Sequence, residues 1–166
     1  MAAHGIQRHV LVLLKVAIWK FSNGSEPIVC LWDAEACSKA AASGHLSILM
    51  WLHENGCPWD EKTCHKAAKY GHFKLLEWAR DKGCPWDSRT WSSAAKFGHI
   101  AILKWAHENG CPWDEETCSS AAQGGQFAIL QWAHENGCPW NSWTCRIAAR
   151  GGHLEILKWA RGNGCP

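Results

Sequence analysis

Apolar and polar positions along this chain repeat with a 27-residue period, clearest from Cys57 to Gly83. In that unit the paired alanines Ala67-Ala68 let helices approach closely, and Leu75, Leu76, Trp78 and Ala79 form an apolar stripe at helical spacing. The pattern predicts a short helix through Ala67-Ala68, then a second from about Phe73 to Arg80. Asp60 stands at the N-cap of the first, where its carboxylate can accept from orphan backbone N–H groups. Asp33, Asp87, Asp114 and Asn141 hold the same place in the other units. Gly71-His72 breaks the unit between its helices, and Gly83, or Asn-Gly in other copies, closes the second helix.

Helices of about ten residues are not stable alone in water, so such units must stack on their neighbours. The expected fold is therefore all-α, a solenoid of helix–turn–helix units. Five units run without a gap: 30–56, 57–83, 84–110, 111–137 and 138–164. Residues 1–29 lie outside the repeat as a possible cap, and 165–166 begin a further unit.

Two slots hold ten of the thirteen tryptophans: Trp32, Trp59, Trp86, Trp113 and Trp140, and Trp51, Trp78, Trp105, Trp132 and Trp159. A repeated core residue is the expectation; a stacking platform for single-stranded nucleic acid or sugar is the alternative. Cysteine follows the same logic. Cys30, Cys57, Cys84, Cys111 and Cys138 open the units, and Cys37, Cys64, Cys118 and Cys145 lie seven residues later. In the third unit that second slot holds Trp91. A slot shared by Cys and Trp reads as an apolar core position rather than half of a disulfide. Free thiols imply a reducing, intracellular compartment, cytoplasmic or nuclear.

Net charge is +2 with both signs interleaved, which gives no electrostatic case for nucleic acid or an anionic membrane. The apolar run Val10–Trp19 is broken by Lys15 and is too short to span a bilayer. It is expected to cap the first repeat rather than to direct export. Asn23-Gly24-Ser25 matches a glycosylation acceptor, relevant only to an exported chain.

At this point the residues resemble a known family. Cys64-His65-Lys66-Ala67-Ala68-Lys69-Tyr70-Gly71-His72 is similar to the Leu-His-x-Ala-Ala-x-x-Gly-His signature of the ankyrin repeat, and Gly83-Cys84-Pro85-Trp86-Asp87 to its Gly-Ala-Asp-Val-Asn ending. The unit is shorter than the roughly 33 residues of an ankyrin repeat. The missing residues fall between Trp86 and Trp91, where ankyrins carry a projecting β-hairpin, and the Thr-Pro helix start is absent. The chain thus resembles the short Cys-Pro-Trp type of ankyrin-like repeat, with hairpins shortened or absent.

The resemblance implies a non-catalytic scaffold or adaptor that binds a protein partner through variable residues of its concave helical face. The candidates are Lys39, Lys62, His65, Lys66, Tyr70, Arg89, Phe97, Trp143, Arg146, Ile147 and Arg150. Trp143 and Ile147 stand out: they lie four apart on one helix, in slots that are otherwise polar. No cofactor is expected. A thiol-rich metal or redox protein is one alternative, since Cys57, Cys64, His65 and His72 are zinc-ligand types, but their spacing is not that of a zinc knuckle. A repeat fragment of an expanded gene family without a dedicated partner is another. Phosphate-cradling loops and nucleophile motifs are missing, so no enzyme is expected. The second helix of the last unit lacks a polar outer face, which predicts self-association unless something covers it.

Overall fold

A computed structural model describes residues 33–111 and 113–166. The expectations for the N-terminal segment, Cys30 and Trp32 lie outside the described residues. Ten helices and no strand occur among the described residues. They pair as α1 Ala34–Ala42 with α2 Leu46–Glu54, α3 Glu61–Lys69 with α4 Phe73–Asp81, and α5 Ser88–Phe97 with α6 Ile100–Glu108. The last two pairs are α7 Glu115–Gln123 with α8 Phe127–Glu135, and α9 Ser142–Arg150 with α10 Leu154–Gly162. The array is an all-α repeat solenoid with one pair per repeat, as the periodicity predicts.

Each first helix starts at the expected cap. The side chains of Asp60, Asp87, Asp114 and Asn141 accept from the backbone N–H two residues on, at 2.9–3.1 Å. Asp33 accepts from Ala36 at 3.3 Å. Each second helix ends in a Schellman turn, where Gly56 donates to the carbonyl of His53 and Cys57 to that of Leu52. Asn55, Asn109, Asn136 and Asn163 add a side-chain bond of 2.8 Å to the tryptophan carbonyl one turn back. Gly71 shows why the mid-repeat glycine is needed: its φ is +76°, and a Cβ there would lie 2.6 Å from the His99 ring of the next repeat. That ring is fixed in turn, since its Nε2 donates to the carbonyl of Lys69 at 3.0 Å.

First helices of neighbouring repeats pack directly on one another through the paired alanines. Ala41, Ala67, Ala68, Ala94, Ala95, Ala121 and Ala122 are fully buried. With no side chain beyond Cβ, they let backbones approach closely. Leu49, Leu76, Leu103 and Leu130 fill the space behind them, on the second helices.

The tryptophans behave differently from the expectation of repeated core residues. Those of both ladders are half-buried or exposed, and only Trp91 is fully buried among those described. They form a ring stack along the second-helix side. His53 stacks on Trp59 at 4.0 Å, His107 on Trp113 at 4.5 Å and His134 on Trp140 at 3.9 Å. In the second repeat Arg80 takes the histidine's slot, its guanidinium 4.0 Å from the Trp86 ring. Trp78, Trp105, Trp132 and Trp159 meet these rings edge-on or tilted at 5.5–6.1 Å. An indole keeps one edge wet while its body packs, which suits a rim better than a dry core.

Candidate protein-interaction surface

The candidate residues lie on the first helices and at their C-terminal ends. Capping and alanine packing fix one side of each, and the opposite side carries the candidate residues. In the first repeat Lys39 pairs with Glu35 at 3.1 Å, both exposed. In the second, Lys62 approaches its own cap Asp60 at 3.8 Å. Arg89 of the third repeat is held by two carboxylates: Nε donates to Asp87 at 2.7 Å, and a terminal nitrogen donates to Glu61 of the preceding repeat at 3.0 Å.

The second and third repeats bring several candidates together. Both ring nitrogens of His65 lie 3.5 Å from the Ser93 hydroxyl of the next repeat. Burial, then the positive charges of Lys66, Arg89 and Lys69, hold its imidazole below the ordinary range, with Asp87 opposing. Tyr70 and Phe97 occupy one slot in successive repeats and are 49% and 46% exposed. The Lys69 ammonium sits between them, 5.4 Å from the Tyr70 ring and 5.3 Å from the Phe97 ring. Lys96 lies 5.9 Å from the Phe97 ring. Lys69 and Lys96 were not among the candidates drawn from the sequence. Their signal was available: they hold one slot 27 residues apart, each just before the exposed aromatic.

The fifth repeat holds a separate group. Trp143 is 54% exposed, with the Arg146 guanidinium 4.7 Å from its ring. Arg150 is exposed, whereas Ile147 is half-buried. The expected pair is therefore unequal: Trp143 stands out with Arg146 against it, and Ile147 lies partly beneath the surface.

The thiols are positioned by the scaffold. Each opening cysteine aims its S–H at the N-cap carbonyl of the preceding repeat: Cys57 at Asp33 (3.6 Å), Cys84 at Asp60 (3.6 Å), Cys111 at Asp87 (3.8 Å), Cys138 at Asp114 (3.5 Å) and Cys165 at Asn141 (3.4 Å). The second-slot cysteines pack beside them, with Cys37 Sγ 3.4 Å from Cys57 Sγ. All nine described cysteines are free and buried. Burial pushes the thiols of Cys37 and Cys111 up to about 12. Trp91 fills its thiol slot at 1% exposure, as a shared apolar position requires. Among the described residues no group of three or more His, Cys, Asp or Glu comes together as a metal site, and Cys57, Cys64, His65 and His72 do not converge. No described helix is long and apolar enough to cross a membrane.

The family model for ankyrin repeats (many copies) matches residues 37–80, 64–107 and 118–161. No curated protein matches the chain. Among solved structures, the human ASB11 ankyrin repeat domain is similar, with a TM-score of 0.63 at 16% identity. The match covers 78% of this chain and 69% of that one, and at this identity the likeness is one of fold. Helix pairs, glycine turns and the matched segments agree, and the chain belongs to the ankyrin-repeat family.

Proposed function

We propose that the array is a non-catalytic protein-binding module that takes its partner on the first-helix side, as the concave face of the stack. One observation carries this reading. Across five copies of one scaffold the fully buried first-helix slots mostly keep their residue, Trp91 in the Cys64 slot and Ala36 in the Thr63 slot excepted, while the exposed slots change chemistry at nearly every step. The buried slot of Thr63 holds Thr90, Thr117 and Thr144, and the paired alanines recur throughout. The neighbouring surface slot runs Glu35, Lys62, Arg89, Glu116, Trp143. Folding alone does not require that variation, and binding a specific partner does. Alanine-mediated approach on this side, against ring-spaced packing on the other, supports placing the first helices inside the bend.

The unbonded, buried thiols support an intracellular setting, since oxidising compartments favour disulfides. The same burial and raised thiol pKa weigh against a redox role, because the thiolate is the reactive form.

The test is affinity capture from cell lysate on immobilised wild-type array, beside Trp143→Ala/Ile147→Ala and Tyr70→Ser/Phe97→Ser variants of matched helicity. A specific protein retained by wild type and lost by either variant supports the reading. Capture unaffected by every first-helix variant would place binding elsewhere and overturn it.

A further inference from the structure

The second and third repeats expose two large aromatic rings in a slot where the fold has no need of them. The equivalent positions are Ser43, Gly124 and Gly151. Tyr70 and Phe97 therefore leave about half of each ring in water while a hydroxyl or no side chain serves the turn equally well. Exposed aromatics in a cluster are the usual anchors of interfaces.

Charge specifies the partner. Lys69 lies against both rings and Lys96 against Phe97, with Lys66 one turn before Tyr70 on the same helix, and none of the three makes an ion pair among the described residues. Burial, then the positive charges of Lys66, Arg89 and Lys69, hold the nearby His65 imidazole below its ordinary range against Asp87. The patch is also pre-organised: the Lys69 carbonyl is bound by His99, and the Lys96 carbonyl packs against Gly124. The backbone that carries the rings and lysines is thus fixed before an occupant arrives, which lowers the entropic cost of binding.

We infer that Tyr70 and Phe97, flanked by Lys69 and Lys96, dock an acidic segment of a partner protein that carries apolar side chains. This deepens the protein-binding reading and rests on it. The carboxylates meet the unpaired ammoniums, and an apolar side chain covers the ring faces. A nucleic acid fits less well. Its backbone needs a continuous basic track, and the next first helix opens with Glu115 and Glu116, both exposed and unpaired among the described residues.

Selection from a random-peptide phage library on the immobilised full chain tests the inference. Enriched peptides are then fluorescein-labelled and titrated by anisotropy. Enrichment of Asp and Glu together with Leu, Phe or Trp is expected, with affinity falling at least about tenfold in Tyr70→Ser/Phe97→Ser. Lys69→Glu/Lys96→Glu should lose binding, and Lys158→Glu in the last repeat should not. Folding is checked by helicity, and serine already serves this slot at Ser43. If enriched peptides bind Tyr70→Ser/Phe97→Ser as well as wild type, this site falls while protein binding stands. If selection yields no binder, both fall. Tighter binding of labelled oligothymidylate than of any peptide, lost in the same variants, would replace the acidic peptide by a nucleic acid.

Discussion

The carbonyl oxygen of Lys96 lies where a side chain on Gly124 would have to begin: a Cβ built there would come within 1.9 Å of it. The backbone of Gly124 is in the ordinary right-handed region, at φ −81°. Close approach, not turn geometry, demands the glycine. The equivalent slots carry Tyr70 and Phe97, so the tight contact belongs to the junction of the third and fourth repeats. Gly124→Ala should destabilise the array by about 2 kcal/mol or more, because backbone must shift to admit the methyl group. Gly162→Ala is the matched control. It lies in α10 with nothing within 4 Å of a Cβ, and it should gain a few tenths of a kcal/mol to about 1. Urea midpoints of the two variants should move in opposite directions.

The caps give a graded prediction. Asp87 accepts from the Arg89 N–H at 3.1 Å and also binds the Arg89 side chain at 2.7 Å. Asp87→Ala should cost about 1–2 kcal/mol through the lost cap. Asp114→Asn should change stability little, since Asn141 makes the same bond at 2.9 Å in the last repeat. Equal losses for both substitutions would show that charge, not the acceptor geometry, holds the helix start.

Much of this architecture was legible in the sequence because repetition prints each local rule five times. Caps at Asp60 and its equivalents and the left-handed turn at Gly71 follow from chemistry within about five residues, and the alanine seam from its recurrence in every unit. The Trp91 slot was legible too, since a position taking either thiol or indole has to be dry. The wet tryptophan rim was not. It depends on which side of α2, α4, α6, α8 and α10 meets the next Cys-Pro-Trp segment, and local periodicity does not encode that. The pairing of Lys69 with both Tyr70 and Phe97 crosses a repeat boundary and appears only once neighbouring first helices are side by side.

The thiols predict alkaline sensitivity. Burial raises Cys37 and Cys111 from an ordinary 9.0 to about 12 in the folded array. The folded state therefore holds these protons more tightly than the unfolded chain. The associated stability is complete below pH 9 and drains away as pH rises toward about 12, by up to ~1.4 kcal/mol per pH unit for each thiol. Urea midpoints measured at rising alkaline pH should fall steeply. In Cys37→Ala/Cys111→Ala the slope should be shallower. A midpoint flat across that window would mean that these thiols are as free to ionise in the fold as outside it.

The last repeat leaves apolar side chains uncovered, although Glu155, Lys158 and Arg161 are exposed on α10 and give it the polar positions that the sequence was expected to lack. Ala149 is exposed where Ala41, Ala68, Ala95 and Ala122 are fully buried, and Leu154 is 59% exposed. Leu157 is half-buried, whereas Leu76, Leu103 and Leu130 are covered completely. This chain should self-associate as its concentration rises, seen as growing mass in multi-angle light scattering, and Leu154→Lys/Leu157→Glu should suppress it. Constant monomer mass at high concentration would count against that face as a contact.

Four threonines share one unusual environment. Thr63, Thr90, Thr117 and Thr144 are fully buried in successive first helices, and none of their hydroxyl oxygens has a hydrogen-bond partner among the described residues. A buried hydroxyl without a partner pays its desolvation and recovers nothing. Valine has the same branched shape without the oxygen. Thr90→Val should therefore raise stability by ~1 kcal/mol, and the gains from Thr63→Val and Thr117→Val should add to it where the sites do not touch. Thr90→Ser separates shape from polarity. It keeps the hydroxyl and deletes the methyl group, so it should lower the midpoint by leaving a small cavity. A loss of stability in Thr90→Val would show instead that the hydroxyl is bonded in solution, and the repeated threonine would then be a polar tie between successive repeats rather than a filler of volume.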